Sequence, residues 1–218
     1  MAKKIGVILS GCGFKDGAEI HESVLALLAL DQAGAEVICM APNVDQTQVV
    51  NHINDEPQSE TRNVLVESSR IARGDIRDIA EVSADELDAI VLPGGFGAAL
   101  NLSDFASKGA EATVNPEVKN LLTQCFEQKK PIGAICIAPA VIAATLGSSA
   151  VKLTIGNDEG TAGAINAHGA QHQDCVVESI CIDADNRIVS TPAYMLGPNI
   201  RHVAAGIQLL VAEVMRMA

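Results

Sequence analysis

The sequence Pro131-Ile132-Gly133-Ala134-Ile135-Cys136-Ile137-Ala138-Pro139 places a cysteine between a predicted strand and a predicted helix. Residues 131–135 form a short apolar run, which is typical of a buried strand. Residues 138–146 are mostly helix-forming or apolar, and Pro139 stands where proline is tolerated in a first helical turn. The rest of the chain is arranged around this predicted strand–turn–helix unit.

A cysteine at such a turn resembles the nucleophile elbow of α/β enzymes, in which a sharp turn exposes the reactive side chain. The pattern is looser than G-x-S-x-G, because Ala138 stands where that motif has its second glycine. The unpaired N–H groups of the following helix are expected to lower the pKa of the Cys136 thiol. The alternative is that Cys136 is an ordinary buried core cysteine, as most free cysteines are.

Strands and helices alternate along the chain. Apolar runs predict strands at residues 3–9, 35–41, 88–92, 131–135, 151–155, 176–182 and 187–191. Helical spacing and capping residues predict helices at residues 19–32, 62–73, 115–129, 138–146, 159–167 and 199–217. This alternation predicts a single doubly wound α/β domain over residues 1–218, with a mostly parallel sheet and helices on both faces. The first of these helices has a broad predicted inward face: Ile20, Val24, Leu25, Leu27, Leu28 and Ala29.

Composition excludes several classes of function. The formal charge of −12 repels phosphate backbones and anionic lipid surfaces, and only five aromatic residues are available for stacking on bases. We therefore expect no nucleic-acid or membrane partner. The six cysteines show no C-x-x-C spacing, and no signal-peptide pattern follows Met1. A reduced, cytoplasmic protein is the expectation.

The sequence predicts neither a nucleotide cofactor nor a metal. Gly11-x-Gly13 lacks the third glycine of the dinucleotide-binding motif, and no Walker A sequence is present. His21 and Glu22 are not followed by the second histidine of H-E-x-x-H. His168 and His172 have helical spacing, but the intervening Gly169 favours a surface loop over a metal site.

Three predicted strand ends carry residues that suit catalysis. Glu22 follows the first strand and its glycine-rich loop, Gly94-Gly95-Phe96-Gly97 forms a predicted loop after the strand at 88–92, and Cys136 follows the strand at 131–135. Ligands of doubly wound sheets bind outside the carboxyl ends of the strands, so a nucleophile, a carboxyl group and free backbone N–H groups would meet there. The alternatives are that Glu22 is a solvated helix-start carboxylate and that Gly94-Gly95 is a plain turn.

The combination of motifs resembles a known superfamily. Gly17-Ala18-Glu19-Ile20-His21-Glu22-Ser23-Val24, Pro93-Gly94-Gly95 and Ile135-Cys136-Ile137-Ala138-Pro139 resemble the superfamily of the PfpI protease and the parkinsonism-associated deglycase. Within it, Ile8-Leu9-Ser10-Gly11-Cys12-Gly13, Leu92-Pro93-Gly94-Gly95-Phe96-Gly97-Ala98-Ala99 and Ser190-Thr191-Pro192-Ala193-Tyr194-Met195 are most similar to the ElbB group, the bacterial glyoxalases linked to isoprenoid biosynthesis.

The resemblance implies a class I glutamine amidotransferase-like, flavodoxin-like fold and a homodimer. It implies that Cys136 is the nucleophile, that a protonated Glu22 hydrogen-bonds its thiolate, and that the backbone of Gly94, Gly95 and Ile137 forms an oxyanion hole. Such a closely spaced pair would share one negative charge.

One departure from the superfamily narrows the implied activity. Many relatives carry a histidine after the strand that follows the elbow, whereas here Thr154-Ile155-Gly156-Asn157 occupies that place. A Cys-His triad and proteolysis are therefore not implied, and the H-x-E pair of true glutamine amidotransferases is also missing. The implied function is a cofactor-independent glyoxalase, or a deglycase, that converts the small reactive aldehyde glyoxal to glycolate. The alternative is a redox or electrophile sensor, or an interaction protein, with an oxidisable Cys136 and little turnover.

Overall fold

A computed structural model describes residues 2–218 and contains a central sheet flanked by helices. The strands are β1 (Lys4–Ile8), β2 (Glu36–Ala41), β3 (Arg77–Asp78), β4 (Ala89–Leu92), β5 (Ile132–Ile135), β6 (Lys152–Leu153), β7 (Gln171–His172), β8 (Cys181–Asp183) and β9 (Ile188–Thr191). The helices are α1 (Ile20–Gln32), α2 (Val64–Ile71), α3 (Phe96–Leu100), α4 (Phe105–Lys108), α5 (Pro116–Glu127), α6 (Pro139–Leu146), α7 (Glu159–Ala167) and α8 (Ile200–Met217).

The sheet has seven strands in the order β3-β2-β1-β4-β5-β9-β8. All neighbouring strands pair in parallel except β8, which pairs antiparallel with β9 at one edge. The order reverses direction at β1, as in doubly wound sheets, whose ligands bind near such a switch point. The predicted fold class is confirmed.

Two hydrophobic cores cover the two faces of the sheet. Successive residues of a strand point to opposite faces, so Ile90 and Leu92 belong to one core while Ala89 and Val91 belong to the other. The first core is completed by side chains of α5, α6 and α7, and the second by side chains of α1, α2 and α8. This arrangement leaves the carboxyl ends of β1, β4 and β5 free to present loops.

Several short elements differ from the sequence-based expectations. The predicted strand at 151–155 is only the two-residue β6, which pairs with β7 in a separate small sheet. The predicted strand at 176–182 begins at Cys181, and Gly94–Gly97 is a loop only as far as Gly95, because α3 begins at Phe96. These segments are too short for a periodic pattern to reveal them.

Half of the inward face predicted for α1 is wrong, since Ala29 is buried and Leu25 and Leu27 pack against the second core, whereas the other three residues are exposed. Ile20, Val24 and Leu28 are 42 to 49% exposed, whereas Glu22, Ser23, Ala26, Ala29 and Leu30 are buried. The buried face is made mostly of small residues because α1 packs closely against α8. Among the described residues, no helix is both long and apolar enough to cross a membrane.

Candidate active site

Cys136 lies in a strained turn between β5 and α6. Its φ angle is 62°, a left-handed conformation that non-glycine residues rarely adopt. The Cys136 backbone N–H donates to the Thr191 carbonyl at the end of β9 (2.9 Å), and Pro139 opens α6 in its first turn. The residue is 7% exposed. The predicted strand–turn–helix unit is therefore present, and its strain is concentrated at the cysteine.

Glu22 is fully buried in the first turn of α1, directly beside Cys136. One carboxyl oxygen accepts the Gly94 N–H (3.0 Å), and the other accepts the Tyr194 N–H (3.1 Å). The Cys136 side chain lies beside this carboxyl group, because both pack around Gly94. Glu22 is thus not the solvated helix-start carboxylate of the alternative interpretation. Its orientation is fixed by the backbone on two sides.

The two glycines after β4 serve different purposes. A Cβ atom at Gly94 would lie 2.5 Å from the Cys136 Cβ and 2.8 Å from a Glu22 oxygen, so only glycine allows this approach. Gly95 has a φ of 91°, which favours glycine. The backbone N–H groups of Gly95 and Ile137 act to lower the pKa of the Cys136 thiol, whereas the Gly94 N–H donates to Glu22.

Burial has the largest effect on the pKa values of Glu22 and Cys136. It raises the pKa of Glu22 to about 8, and the nearby Glu19 acts in the same direction. Burial and the Glu22 carboxyl also raise the pKa of the Cys136 thiol, while the Gly95 and Ile137 amides act to lower it. The net direction is opposite to the lowering expected from the helix N-terminus alone. Because two adjacent buried anions repel each other, the pair carries at most one negative charge near neutral pH.

A deep pocket of about 900 Å³ opens above Cys136. Its walls come from the loop before α1, from α1 itself, from α3 and α4, and from the segment after β9. The lining residues are Gly13, Phe14, Glu19, Ile20, His21, His52, Gly95, Phe96, Ala99, Phe105, Ala106, Cys136, Ile137, Thr161, Tyr194 and Met195. The nucleophile and the donor amides of Gly95 and Ile137 are therefore reachable by a ligand, while Glu22 lies beneath them.

Sequence reasoning missed a polar group on the pocket wall. The Tyr194 hydroxyl and the His21 Nδ1 atom are 2.8 Å apart and hydrogen-bonded. Burial raises the pKa of the Tyr194 phenol, so it stays protonated and able to donate. Tyr194 lies in the stretch 190–195, whose similarity to the ElbB group assigned no role to this residue. No local pattern connects it with His21, which is 173 positions away.

The histidines do not form a metal centre in the described part of the chain. Within residues 2–218, no group of three or more His, Cys, Asp or Glu side chains is arranged to hold a metal ion. His52 is exposed, lines the pocket and packs edge-on against Phe14. His172 accepts the Ile155 N–H (3.3 Å) through its Nε2 atom, and His168 Nε2 is hydrogen-bonded to the Gly109 carbonyl (3.0 Å).

A mostly parallel, doubly wound sheet with a cysteine at the turn between β5 and α6 is the class I glutamine amidotransferase-like fold. Comparison with known proteins makes the assignment more specific. The chain belongs to the DJ-1/PfpI family, whose profile matches residues 12–191. The resemblance found in the motifs is thereby confirmed.

Relatives extend over nearly the whole chain. The chain is 43% identical over 228 residues to the human "Glutamine amidotransferase-like class 1 domain-containing protein 3, mitochondrial", with 99% of this chain and 84% of the relative covered. It is 42% identical over 224 residues to the rat "ES1 protein homolog, mitochondrial", with 98% and 84% covered.

Solved structures agree with the fold. An isoprenoid biosynthesis protein with an amidotransferase-like domain from Ehrlichia chaffeensis is 42% identical, superposes with a TM-score of 0.92, and covers 99% of this chain and 100% of its own. Drosophila melanogaster DJ-1beta, at 22% identity and a TM-score of 0.58, covers 100% of this chain and 96% of its own, and it shares the fold alone.

Proposed function

We propose that this chain is a cofactor-independent glyoxalase that converts glyoxal to glycolate through a covalent intermediate on Cys136. One observation carries the proposal: the fully buried Glu22 carboxyl and the Cys136 side chain pack together around Gly94 beneath an open pocket. A nucleophile beside a group able to take and return a proton is the pairing that this rearrangement needs. The chain's membership of the DJ-1/PfpI family supports the same chemistry at a coarser level.

The first step forms a carbon–sulfur bond. The Glu22 carboxylate takes the proton of the Cys136 thiol as the sulfur adds to one aldehyde carbon of glyoxal, and the carbonyl oxygen takes up the electron pair. The Gly95 and Ile137 amides, which favour a negative charge at Cys136, are the groups we assign to stabilise that oxygen as its charge develops. Gly94 has a different part, because its N–H holds Glu22 in place. Protonation of the oxygen by Glu22 then gives a hemithioacetal and leaves Glu22 ionised.

The second step moves hydrogen between the two carbons. The Glu22 carboxylate removes the proton from the carbon bonded to sulfur and returns it to the neighbouring carbon. The product is a thioester of glycolate on Cys136, which water cleaves to release glycolate and the free thiol. The balance is one glyoxal plus one water to one glycolic acid, with no external oxidant or reductant. A pKa of about 8 suits a group that must both donate and accept a proton near neutral pH.

The decisive experiment follows glycolate formation from glyoxal by NMR. Cys136→Ser should abolish the product, whereas the control Cys175→Ser, which changes a half-buried cysteine outside the pocket, should retain the wild-type rate. Unchanged glycolate formation by Cys136→Ser would remove the mechanism.

The same assay separates an enzyme from a sensor. A glyoxalase releases many glycolate molecules per thiol, whereas a redox or electrophile sensor is modified about once. Deglycase activity gives the same product from glycated amines or thiols, because these release free aldehyde. Adding an efficient aldehyde scavenger should suppress glycolate from free glyoxal and leave any direct action on the adduct.

The biological setting is also a proposal. The Ehrlichia chaffeensis protein is described as an isoprenoid biosynthesis protein, which supports a link to that metabolism for this chain. That the chain forms a homodimer stays a prediction. Its cytoplasmic location also stays a prediction, and the names of the human and rat relatives include the word mitochondrial.

A further inference from the structure

His52 connects a long loop with the wall of the pocket. The loop at residues 46–58 lies against the segment 13–17, which precedes α1. Four residues of the loop are hydrogen-bonded to that segment: Gln46, Gln48, Val50 and His52. His52 also lines the pocket above Cys136. The position of this one side chain is therefore shared by the loop and the pocket.

Both ring nitrogens of His52 are bonded to the backbone. The Nδ1 atom lies 3.0 Å from the Val50 carbonyl oxygen, and because a carbonyl can only accept, Nδ1 carries the hydrogen of the neutral ring. The Nε2 atom accepts the Lys15 N–H at 3.3 Å and must itself be free of hydrogen. These contacts select one neutral tautomer. A protonated ring cannot keep both of them.

The His52 ring packs against the pocket wall. A Cβ atom at Gly13 would lie 2.6 Å from Nε2, so the ring sits directly on this glycine. The Phe14 ring lies edge-on to the imidazole, with 5.4 Å between the ring centroids. Gly13 and Phe14 both line the pocket. A movement of the His52 ring would therefore remove support from this part of the wall.

Asp16 offers a second partner to the His52 ring. The Asp16 side chain is 2% exposed, and its Oδ1 atom lies 3.8 Å from Nε2. Its Oδ2 atom accepts the Val50 N–H (2.8 Å), which fixes the orientation of the carboxyl group. At 3.8 Å the neutral ring makes no hydrogen bond to Oδ1, but a small rotation would bring a protonated Nε2 within reach.

The other charged groups near His52 are paired with one another. Lys15 donates through Nζ to the His52 carbonyl (3.3 Å) and forms an ion pair with Asp55. Glu60 and Arg62 line a smaller polar pocket on the other side of His52, and they also form an ion pair. Asp16 is therefore the group toward which a charged imidazole would turn.

We propose that His52 is a pH-sensitive switch that controls the pocket wall at Phe14. Imidazole is the side chain whose charge ordinarily changes between pH 5 and pH 8. When Nε2 takes up a proton, two donors face each other and the hydrogen bond from the Lys15 N–H breaks. The ring then turns to pair with the Asp16 carboxyl group, and Gly13 and Phe14 lose its support. Acidification loosens this wall, whatever reaction takes place at Cys136.

NMR spectroscopy of the whole chain tests the switch. From pH 8 to pH 5, the Lys15 amide signal should shift with the same midpoint as the His52 ring protons. The protection of this amide from hydrogen exchange, corrected for the intrinsic effect of pH, should fall about two- to tenfold, the loss of one hydrogen bond. In His52→Gln, which cannot gain a charge, the Lys15 amide should not titrate.

A histidine elsewhere provides the control. His202→Gln changes a residue of α8 outside the pocket and should leave the titration of the Lys15 amide as in the wild type. A Lys15 amide that is insensitive to pH would overturn the proposal. An amide that titrates equally in His52→Gln would do the same, because another group would then be responsible.

A fluorescent probe distinguishes movement of the wall from a local change at Lys15. The chain contains no tryptophan, so Phe14→Trp places a single indole on the wall, where Phe14 is 45% exposed. As the pH falls from 8 to 5, its emission should move to longer wavelength and its quenching by acrylamide should increase. The double variant Phe14→Trp/His52→Gln should show neither change. Emission and quenching that are independent of pH in Phe14→Trp would refute the loosening of the wall.

The substitution Asp16→Asn tests the direction in which the ring turns. The asparagine oxygen can still accept the Val50 N–H, but the side chain no longer pairs with a charged imidazole. Protonation of His52 should then need more acid, so the NMR and fluorescence midpoints should move together to lower pH by about one unit. Unchanged midpoints would show that the ring does not pair with Asp16 and would overturn the proposed movement.

Discussion

The substitution Glu22→Gln gives a direct test of the buried carboxyl at the centre of the site. It keeps the size of the side chain and removes its ability to ionise. Both carboxyl oxygens accept backbone N–H groups, from Gly94 and Tyr194. Glutamine has one oxygen, so its amide nitrogen must face one of these N–H donors. At pH 5 we expect the variant to be less stable than the wild type by about 1–3 kcal/mol, the cost of one buried unsatisfied group.

At higher pH the order of stability should reverse. The pKa of Glu22 is raised from its ordinary value of 4.5 to about 8, an interval of about 3.5 pH units. Between these values the folded wild type holds a proton that the unfolded chain has lost, so the free energy of unfolding falls as pH rises. At 1.36 kcal/mol per pH unit, the loss amounts to about 5 kcal/mol by pH 9. The variant lacks this loss and should then be the more stable protein by about 2–4 kcal/mol.

Urea unfolding from pH 5 to pH 9 measures the effect. The free energies of unfolding of wild type and Glu22→Gln are plotted against pH, and their difference isolates this one group because every other ionisable group is common to both. The control is Glu127→Gln, which changes an exposed carboxyl at the end of α5 and should run parallel to the wild type. If the Glu22→Gln curve also runs parallel, Glu22 is ionised throughout, and its assigned part in proton transfer is untenable.

Three further substitutions test separate parts of the structure. Gly94→Ala places a Cβ atom 2.5 Å from the Cys136 Cβ, so the free energy of unfolding should fall by about 1–3 kcal/mol and glycolate formation should be lost; normal activity would show that the elbow can move aside. Tyr194→Phe removes the hydroxyl bonded to His21 and keeps the backbone N–H, so kcat/KM should fall about two- to tenfold; an unchanged value excludes this hydroxyl from the reaction. Asn115→Ala removes the side chain that caps α5, which should cost about 1 kcal/mol in urea unfolding without changing activity per folded molecule.

Local sequence signals predicted the elements that carry the nucleophile. The apolar run before Cys136 and the proline after it correspond to β5 and the first turn of α6. Asn115 and Pro116 likewise begin α5 as predicted, with the asparagine side chain accepting N–H groups of the first turn. These predictions succeed because capping and chain stiffness depend on neighbouring residues.

Features set by distant contacts could not be predicted in this way. The Gly94 N–H was assigned to the oxyanion hole, yet it donates to Glu22, which is 72 positions away in sequence. The sign of the change in the Cys136 thiol pKa also depends on burial, which outweighs the helix N-terminus. Each of these properties is decided by which groups the tertiary structure brings together, and no spacing within one element encodes it.

The error in predicting the inward face of α1 concerns the same helix that carries the buried Glu22 carboxyl. Hydrophobic periodicity included Ile20, Val24 and Leu28 in the inward face, but these three residues are exposed. The buried face contains Glu22 and Ser23. Burying an acid whose pKa is then raised to about 8 lowers the free energy of unfolding at neutral pH, so the fold alone gives no reason for it. A strained cysteine conformation beside it adds a second local cost. The buried Glu22 carboxyl and the strained Cys136 backbone both reduce stability, and they lie next to each other beneath one open pocket. Catalysis explains this combination more simply than packing does.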